Sequence, residues 1–377
     1  MSKKISLVLG TRPEAIKLAP LFFALKARSC FQVEVCITAQ HRELLDPILD
    51  FFKIVPDVDL NLMKSGGGLA DLCARIISAT GEYLLRSKPD VVVVQGDTTT
   101  VFGAAVAAFY NHIPVAHVEA GLRSFDLEQP WPEEANRKWT SCVAAYHFCP
   151  TEESRRNLLR EGFSDKNIYV TGNTVIDALL MARGIIEKKP CRIDALPEEL
   201  QPASADGPSI VLMTGHRREN LGEGFLNICH AVRELAQSYP DVHFVYPVHL
   251  NPAVRETVYN VLGASKSSNI HLIAPLNYPE FVAMLCRSKF VLTDSGGVQE
   301  EAPSLGKPVL VMRDTTERPE GITAGVAKLV GTDPDRIVQN VSTLLDDAVV
   351  YAQMATARNP YGDGTAAERI ADVLQRD

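Results

Sequence analysis

Short runs of consecutive apolar residues alternate with helical patterns along almost the whole chain. Ten runs rich in Val, Ile and Leu are predicted as strands: 5–9, 33–37, 91–95, 114–118, 146–150, 209–213, 242–246, 270–274, 290–294 and 308–312. Their apolar residues are consecutive rather than alternating, which is typical of strands buried on both faces of a sheet. Between them, apolar positions recur with helical spacing, as Leu72, Ile76 and Tyr83 do, which predicts amphipathic helices.

This alternation predicts an α/β fold of two Rossmann-like domains, each with a parallel sheet covered by helices. A chain of 377 residues is long enough for two such domains. The strand and helix pattern weakens over the polar stretch 181–207, so we place the domains at 1–173 and 174–361. The tail 362–377 has the pattern of a capped final helix. Ligands of such folds bind beyond the carboxyl ends of the strands, and we expect the active site in the cleft between the domains.

Composition and charge exclude several classes of function. The formal net charge is -8 and no long basic run occurs, which argues against nucleic-acid binding. The longest apolar stretches, such as 101–110, are about half as long as a membrane-spanning helix, so no membrane segment is predicted. Eight cysteines are scattered without C-x-x-C or paired Cys/His spacing. This favours a cytoplasmic protein with reduced cysteines and without a metal site.

Polar residues that follow predicted strands are the candidates for chemistry in the first half. Arg12 and Lys17 lie near a predicted helix start, where two cations and the helix amides favour an anion, although an ordinary solvated turn explains them as well. Asp97 follows another strand and equally fits a helix cap. Glu119 follows a strand and precedes a glycine, where no capping role is evident.

The segment "PWPEEANRKW" supplies further charged candidates, Glu133, Glu134 and Arg137. Glu133 and Arg137 are four residues apart on a predicted helix. Their spacing suits a site facing the ligand, and it also suits a simple surface ion pair. The sequence pattern by itself leaves both readings open.

The second half places similar residues at its strand ends. His216 follows a strand beside arginine, which suits phosphate contact or proton transfer, and His249 holds a comparable position. The turn Ser295–Gly297 allows backbone amides to approach a phosphate at a helix start, with a tight turn as the structural alternative. Glu301 is placed to accept ribose hydroxyls, and Arg318 to reach the same anion.

Three common nucleotide and hydrolase motifs are absent from the sequence. There is no G-x-x-x-x-G-K-[ST], no complete G-x-G-x-x-G and no G-x-S-x-G. These absences argue against a P-loop kinase, a nicotinamide dehydrogenase and an α/β-hydrolase.

Taken together, the candidate segments resemble the bacterial non-hydrolysing UDP-N-acetylglucosamine 2-epimerases. They occur in that family's order over nearly the whole chain: "GTRPEAIK", "QGDTTT", "HVEAGLRS", "PWPEEANR", "TGNTVIDAL", "TGHRREN", "YPVHLNP" and "DSGGVQEEAPSLGKPVLVMRDTTERPE". The resemblance implies a glycosyltransferase-B-like fold in which the C-terminal helix joins the first domain. It also implies a homodimer that uses no metal and no other cofactor. The implied activity interconverts UDP-N-acetylglucosamine and UDP-N-acetylmannosamine through elimination and re-addition of UDP, with a 2-acetamidoglucal intermediate, for surface polysaccharide synthesis.

The resemblance also implies roles for individual residues. The implied catalytic residues are Asp97, Glu119, Glu133 and His216. The implied substrate-binding residues are Arg12, Lys17, Arg137, His216, Leu276, Phe281, Ser295, Gly296, Gly297, Glu301 and Arg318, with Leu276 and Phe281 at the uracil.

Some members of the family are activated by a second UDP-N-acetylglucosamine molecule. Gln40, His41 and His249 match positions of that second site, whereas Pro47 stands where many relatives carry glutamine. The sequence therefore leaves an allosteric site open.

Three other functions remain open at this level. A hydrolysing epimerase would release free N-acetylmannosamine, and the absence of an appended kinase domain argues mildly against it. A glycosyltransferase would need an acceptor groove. A non-catalytic UDP-sugar sensor would not need the acid and base residues Asp97, Glu119, Glu133 and His216.

Overall fold

The computed structural model describes residues 2–39, 42–63, 67–204, 207–264 and 267–376. The chain divides into two compact units: unit 1 comprises Met1–Leu180 and Tyr361–Asp377, and unit 2 comprises Met181–Pro360. The division lies within a helix that begins at Thr174, the position at which the sequence analysis begins the second domain.

Unit 1 is built on a parallel sheet of seven strands in its described residues, with the order β3-β2-β1-β4-β5-β6-β7. The strands are β1 (Lys3–Leu9), β2 (Phe31–Ile37), β3 (Val58–Asp59), β4 (Val91–Gln95), β5 (Val115–Val118), β6 (Tyr146–Cys149) and β7 (Ile168–Val170). The helices around it are α1 (Arg12–Lys26), α2 (Arg42–Phe52), α3 (Leu69–Ser87), α4 (Thr99–Tyr110), α5 (Glu133–Val143) and α6 (Glu152–Arg160). Leu7 of β1 lies opposite Val35 and Val93, and all three side chains are buried. Consecutive Val, Ile and Leu residues form these strands because helices cover both faces of the sheet.

Helix α7 (Thr174–Lys188) begins in unit 1 and ends in unit 2. Unit 2 has a parallel sheet of six strands within the described chain, with the order β10-β9-β8-β11-β12-β13. Its strands are β8 (Ser209–Thr214), β9 (Val242–Pro247), β10 (Ile270–Ile273), β11 (Phe290–Thr293), β12 (Val309–Val311) and β13 (Ala327–Leu329). Its helices are α8 (Glu223–Ser238), α9 (Pro252–Val261), α10 (Tyr278–Arg287), α11 (Gly296–Glu301), α12 (Pro319–Thr323), α13 (Pro334–Asp346) and α14 (Ala348–Thr356). Short 3₁₀ segments occur at Asp165–Asn167, Glu198–Leu200, Arg218–Asn220 and Ala302–Leu305.

The final helix, α15 (Ala366–Arg376), belongs to unit 1. Asp177 caps its first turn by accepting the amides of Ala366 at 3.3 Å and Ala367 at 2.8 Å. Arg28, which follows α1, binds Glu368 of α15 at 2.7 Å. The first turn of α15 is therefore held to unit 1 by two separate segments.

All ten strands predicted from the sequence are present, and three strands were missed. The missed strands are β3, β7 and β13, each of two or three residues at a sheet edge. An edge strand pairs on one side only, so its sequence lacks the long apolar run of a central strand.

Candidate active site

In each unit the order of the strands reverses at one place in the sheet. In unit 1 the reversal lies between β1 and β4, and in unit 2 it lies between β8 and β11. Loops that leave neighbouring strands on either side of such a point diverge and leave room for a ligand. Arg12, Asp97, His216 and the Ser295–Gly297 turn lie in these loops or at the helix starts that follow them.

Lys17 and Glu119 form a close ion pair in unit 1. The Lys17 Nζ lies 2.7 Å from Glu119 Oε1 and 2.6 Å from Oε2. Asn173 Nδ2 donates to the same carboxylate at 3.1 Å, and Gln95 Nε2 also donates to it. Glu119 is only 8% exposed and has a left-handed backbone with a φ of 65°, which few non-glycine residues adopt. The surrounding structure thus fixes the direction of this carboxylate.

Asp97 is held by Arg137 of α5. The Arg137 Nε donates to Asp97 Oδ2 at 2.9 Å, and Nη2 lies 2.7 Å from the same oxygen. Asn136 Nδ2 donates to the Asp97 backbone carbonyl at 2.9 Å. Arg137 therefore does not form the alternative surface pair with Glu133, because its guanidinium is engaged by Asp97 and, at 3.1 Å, by Glu134.

The adjacent residues Glu133 and Glu134 have different environments. Glu134 is fully buried and accepts the amides of Ser124 at 3.0 Å and Phe125 at 3.1 Å. Glu133, at the first position of α5, is partly exposed. Its carboxylate has no hydrogen-bond or ion-pair partner among the residues that the structure describes. Glu134 thus secures the loop before α5, whereas the Glu133 carboxylate makes no such bond among the described residues.

Like Glu133, Arg12 of unit 1 has no charged partner among the described residues. It is the first residue of α1, next to the β1 loop, and is partly exposed. No described carboxylate lies within ion-pair distance of its guanidinium. Because Lys17 is engaged by Glu119, Arg12 is the cation of this segment that is available to an anionic ligand.

Two buried acidic residues at these loops, Glu14 and Asp294, were not singled out from the sequence, and a third, Glu134, was named there without its burial being predicted. Each accepts backbone amides or hydroxyls of a loop. Glu14 had a usable signal, since Thr11 and Glu14 have the spacing of a helix capping box. For Glu134 and Asp294 no sequence signal separates a buried acceptor from a solvent-facing carboxylate.

Asp294 organises the corresponding point in unit 2. It is fully buried and accepts the amides of His216 at 2.9 Å and Arg217 at 2.8 Å. Asn220 Nδ2 donates to it at 3.3 Å and to the Met312 carbonyl at 3.0 Å. The carboxylate after β11 therefore fixes the loop after β8.

His216 lies in that loop and stacks on His249. Their ring centroids are 5.2 Å apart, with an interplanar angle of 22°. Burial lowers the pKa of the His216 imidazole below its ordinary value. His249 and Arg217 act in the same direction, and Asp294 opposes them. A neutral imidazole at this point can both accept and donate a proton.

The turn Ser295–Gly297 opens α11 without a side-chain cap. Arg318 binds Glu300 of this helix through its Nε, and Thr316 Oγ1 donates to Gln299 at 2.7 Å. The loop that carries Arg318 is therefore attached to α11. Glu301, the residue selected from the sequence, is partly buried beside Glu300.

The remaining candidates lie on other segments. Leu276 and Phe281 are in the loop after β10 and the first turns of α10, and both are partly buried. Gln40 and His41 lie outside the described residues.

Two further properties concern the described part of the chain. It contains no group of three or more His, Cys, Asp or Glu side chains arranged to hold a metal ion. No helix in it has the length and apolar character needed to cross a membrane.

Comparison with known proteins identifies the family. The model of the family described as UDP-N-acetylglucosamine 2-epimerase matches residues 23–375. The UDP-N-acetylglucosamine 2-epimerase of Escherichia coli strain K12 is 54% identical over 377 residues, which cover 99% of both chains. The chain belongs to this family.

Solved structures agree with that assignment. The UDP-GlcNAc 2-epimerase from Neisseria meningitidis, crystallised with UDP-GlcNAc, is 48% identical with a TM-score of 0.88, and the match covers 99% of this chain and 100% of that one. A glycotransferase of kitacinnamycin is 14% identical with a TM-score of 0.64, covering 100% of this chain and 99% of that one, and shows the fold alone. The family resemblance and the glycosyltransferase-B-like fold class predicted from the sequence are both confirmed, and the protein is an epimerase.

Proposed function

We propose that this epimerase interconverts UDP-N-acetylglucosamine and UDP-N-acetylmannosamine reversibly and without net hydrolysis. The observation that carries the proposal is the placement of two carboxylates, Asp97 and Glu119, after the adjacent strands β4 and β5 of unit 1. A Cβ built on Gly96 would lie 3.9 Å from Glu119 Oε2, so the Glu119 carboxylate borders the turn that carries Asp97. Each carboxylate is held by a cation, which favours fixed acid and base groups at one strand edge.

The chemistry requires more than one such group. The hydrogen on sugar carbon 2 is not adjacent to a carbonyl, so its direct removal is difficult. In the proposed route the bond from carbon 1 to the UDP oxygen breaks, and a base takes the proton from carbon 2. A double bond forms between the two carbons, and UDP leaves with the electron pair. A proton is then added to the opposite face of carbon 2 while the UDP oxygen bonds again to carbon 1. Asp97, Glu119 and Glu133 are the proposed acid and base residues.

Developing negative charge on UDP needs cations and backbone donors. Arg12 in unit 1 has no described ion-pair partner, and in unit 2 the Ser295–Gly297 turn has no side-chain cap. We assign the diphosphate to these groups together with His216 and Arg318. Glu301 is assigned to the ribose, and Leu276 and Phe281 to the uracil.

The proposal is tested by proton NMR of the protein with UDP-N-acetylglucosamine in deuterated water. We expect UDP-N-acetylmannosamine with deuterium at carbon 2, together with deuterium exchange into the starting sugar. Free N-acetylmannosamine and UDP would identify a hydrolysing enzyme instead. Binding without any exchange would favour a sensor and contradict the proposed reaction.

The proposal includes a homodimer, supported by one apolar helix face. The positions of α4 that are not buried are Phe102, Val106, Phe109 and Tyr110, and they form one stripe because they recur every three to four residues. Phe109 is 53% exposed and Tyr110 is 71% exposed. Trp139 of α5 packs against Phe102, with ring centroids 5.1 Å apart, and is itself 52% exposed. A helix whose solvent-exposed side chains are all apolar is typical of a surface that a partner chain covers.

A single substitution tests this face. Phe109→Glu should convert a dimer into a monomer in light scattering, because it places a charge in an apolar interface. Val349→Glu, at an apolar residue of α14 that is 65% exposed, is the matched control and should leave the mass unchanged. A wild-type protein that is monomeric at all concentrations would contradict the dimer. A cytoplasmic location and a role in surface polysaccharide synthesis complete the proposal.

A further inference from the structure

Glu14 links the two loops on either side of the strand reversal in unit 1. It is 1% exposed and lies in the first turn of α1. Its Oε2 accepts the amide of Gly10 at 2.6 Å, and its Oε1 accepts the hydroxyls of Thr11 at 2.8 Å and Thr98 at 2.6 Å. Gly10 and Thr11 follow β1, whereas Thr98 follows β4, so one side chain joins both loops.

An ordinary helix cap does not explain this arrangement. In a capping box the Thr side chain accepts an amide of the first turn. Here the Thr11 side chain makes no such bond and instead donates to Glu14. Burial of a carboxylate is strongly unfavourable, and Glu14 forms no ion pair among the described residues. A partly exposed glutamate would cap α1 equally well. The additional contact that the buried position of Glu14 provides is the hydrogen bond from Thr98.

Thr98 adjoins Asp97, and the turn around Asp97 is held at three points. The His117 Nε2 donates to the Gly96 carbonyl at 2.7 Å, because a carbonyl oxygen can only accept. Burial lowers the pKa of His117 to about 3 and leaves the ring neutral. Asn136 Nδ2 donates to the Asp97 carbonyl. Glu14 accepts the Thr98 hydroxyl and so provides the third point of attachment.

We propose that Glu14 is a positioning residue for the epimerisation proposed above, and that through Thr98 it fixes the turn that places the Asp97 carboxylate. This inference rests on that proposed function. In the proposed reaction Glu14 does not contact the substrate, and it affects catalysis only through its hydrogen bond with Thr98.

The protonation state of Glu14 makes the positioning role detectable as a dependence of kcat on pH. An ionised carboxylate accepts all three hydrogen bonds, whereas a protonated one must donate a hydrogen, so that one threonine hydroxyl has to turn away. Burial raises the pKa of Glu14 to about 7. Among the described residues, the charged groups in the first turns of its own helix and in the neighbouring loops are Arg12 and Lys17 of α1, Asp97 after β4 and Glu119 after β5. Lys17 is paired with Glu119, and Asp97 with Arg137.

Positioning and a purely structural role predict opposite trends with pH. Because the folded-state pKa of Glu14 is raised above the ordinary 4.5, its contribution to stability is greatest below that value and is lost as pH rises through about 7. A positioning role requires the ionised form, so kcat should instead rise with pH over the same interval. Wild-type kcat should therefore have an acidic limb near pH 7.

The decisive variant is Glu14→Gln, assayed by deuterium exchange in deuterated water across this pH range. Gln keeps the size of the side chain but behaves like the protonated acid. We expect kcat to fall about tenfold to a hundredfold with KM changed less than about threefold, and the acidic limb to disappear. A Glu14→Gln variant that keeps wild-type kcat and the same acidic limb would overturn the inference.

Variants of Thr11 and Thr98 distinguish the positioning role further from a purely structural one. They also keep the inference testable if the Glu14→Gln variant fails to fold. Thr98→Val should reproduce the loss of kcat and of the limb, and Thr98→Ser should restore both. Thr11→Val removes a different bond to Glu14 and should keep kcat and the limb. Equal losses in Thr11→Val and Thr98→Val would overturn the inference. A wild-type protein with no exchange at all would overturn the proposed function and this inference with it.

Discussion

The Nζ of Lys17 lies 2.7 Å and 2.6 Å from the two carboxylate oxygens of Glu119. A cation that the family resemblance assigns to substrate binding is thus directed at a carboxylate that the resemblance assigns to catalysis. The lysine side chain is 20% exposed and the glutamate side chain 5%. Removing one partner of a pair so shielded from water costs more than breaking a surface ion pair, because the other charge is left buried without its partner.

Lys17→Met should therefore impair both turnover and stability. The buried Glu119 carboxylate would lose its lysine partner, and we expect a loss of about 3 kcal/mol in the free energy of unfolding, the lower end for a broken buried pair. The fall in kcat should be about a hundredfold. Urea unfolding and deuterium exchange measure the two effects. Lys3→Met is the control, since the Lys3 Nζ donates to the Leu374 carbonyl and pairs with no carboxylate among the described residues, and it should keep kcat. Wild-type turnover in Lys17→Met would contradict a role for the pair.

The geometry between Arg137 and Asp97 predicts that lysine cannot replace this arginine. Two guanidinium nitrogens reach one carboxylate oxygen, at 2.9 Å and 2.7 Å, while a third reaches Glu134. An ammonium group cannot span both carboxylates. We expect Arg137→Lys to lower kcat about tenfold or more and Asp97→Asn to lower it further. The double variant should be no worse than Asp97→Asn alone, and additive losses would show that the two residues act independently.

Glu133 and Glu134 form a matched pair for separating catalysis from folding. Glu133→Gln should keep the free energy of unfolding and UDP binding but lose turnover, because its carboxylate has no described partner and is the proposed acid or base. Glu134→Gln should lose about 1–3 kcal/mol, because a buried acceptor of two amides is replaced by a group that can accept only on one side. Thermal unfolding and isothermal titration with UDP distinguish the two. Normal turnover by Glu133→Gln would remove Glu133 from the mechanism.

The fold could be predicted because central parallel strands have a strong sequence signature. A strand such as β4 is covered on both faces, so Val91–Gln95 is entirely buried and nearly all apolar. The strand β3, with only Val58–Asp59 at the sheet edge, carries no such signature. Long central elements were therefore found, and short edge strands were missed.

The site could be predicted only in part, because residue type does not reveal which way a side chain points. Strand-end position placed Asp97, Glu119 and His216 in the loops that follow β4, β5 and β8, and their catalytic roles stay predictions. It did not show that Lys17 is paired within the chain or that Glu134, and not Glu133, is buried. Those outcomes depend on three-dimensional packing between segments far apart in sequence.

Asp294 should be indispensable for the architecture of unit 2. Its carboxylate accepts the amides of His216 and Arg217 from the loop after β8. Asp294→Asn turns one acceptor into a donor that faces these amides, so we expect a loss of about 2–3 kcal/mol, and weaker UDP binding as the loop is released. Asp333→Asn, at an exposed cap of α13 that accepts the Arg336 amide, should cost far less because Asn is an equally good cap. Equal losses in the two variants would contradict the special role of Asp294.

The attachment of α15 should depend on pH through Asp177. Burial is the main cause that raises the pKa of Asp177 from 3.8 to about 6, and the nearby Asp363 adds to it, against the opposing bonds from the Ala366 and Ala367 amides. Because the folded-state pKa is raised, the contribution of Asp177 to stability is complete below about pH 4 and is lost as pH rises through about 6, by up to about 3 kcal/mol. Asp177→Asn cannot ionise but keeps one oxygen acceptor for the α15 amides. The free energy of unfolding of this variant, from urea titrations at pH 4 to 7, should decline less steeply with pH than that of the wild type. A slope unchanged by Asp177→Asn would show that this carboxylate ionises in the folded protein without cost.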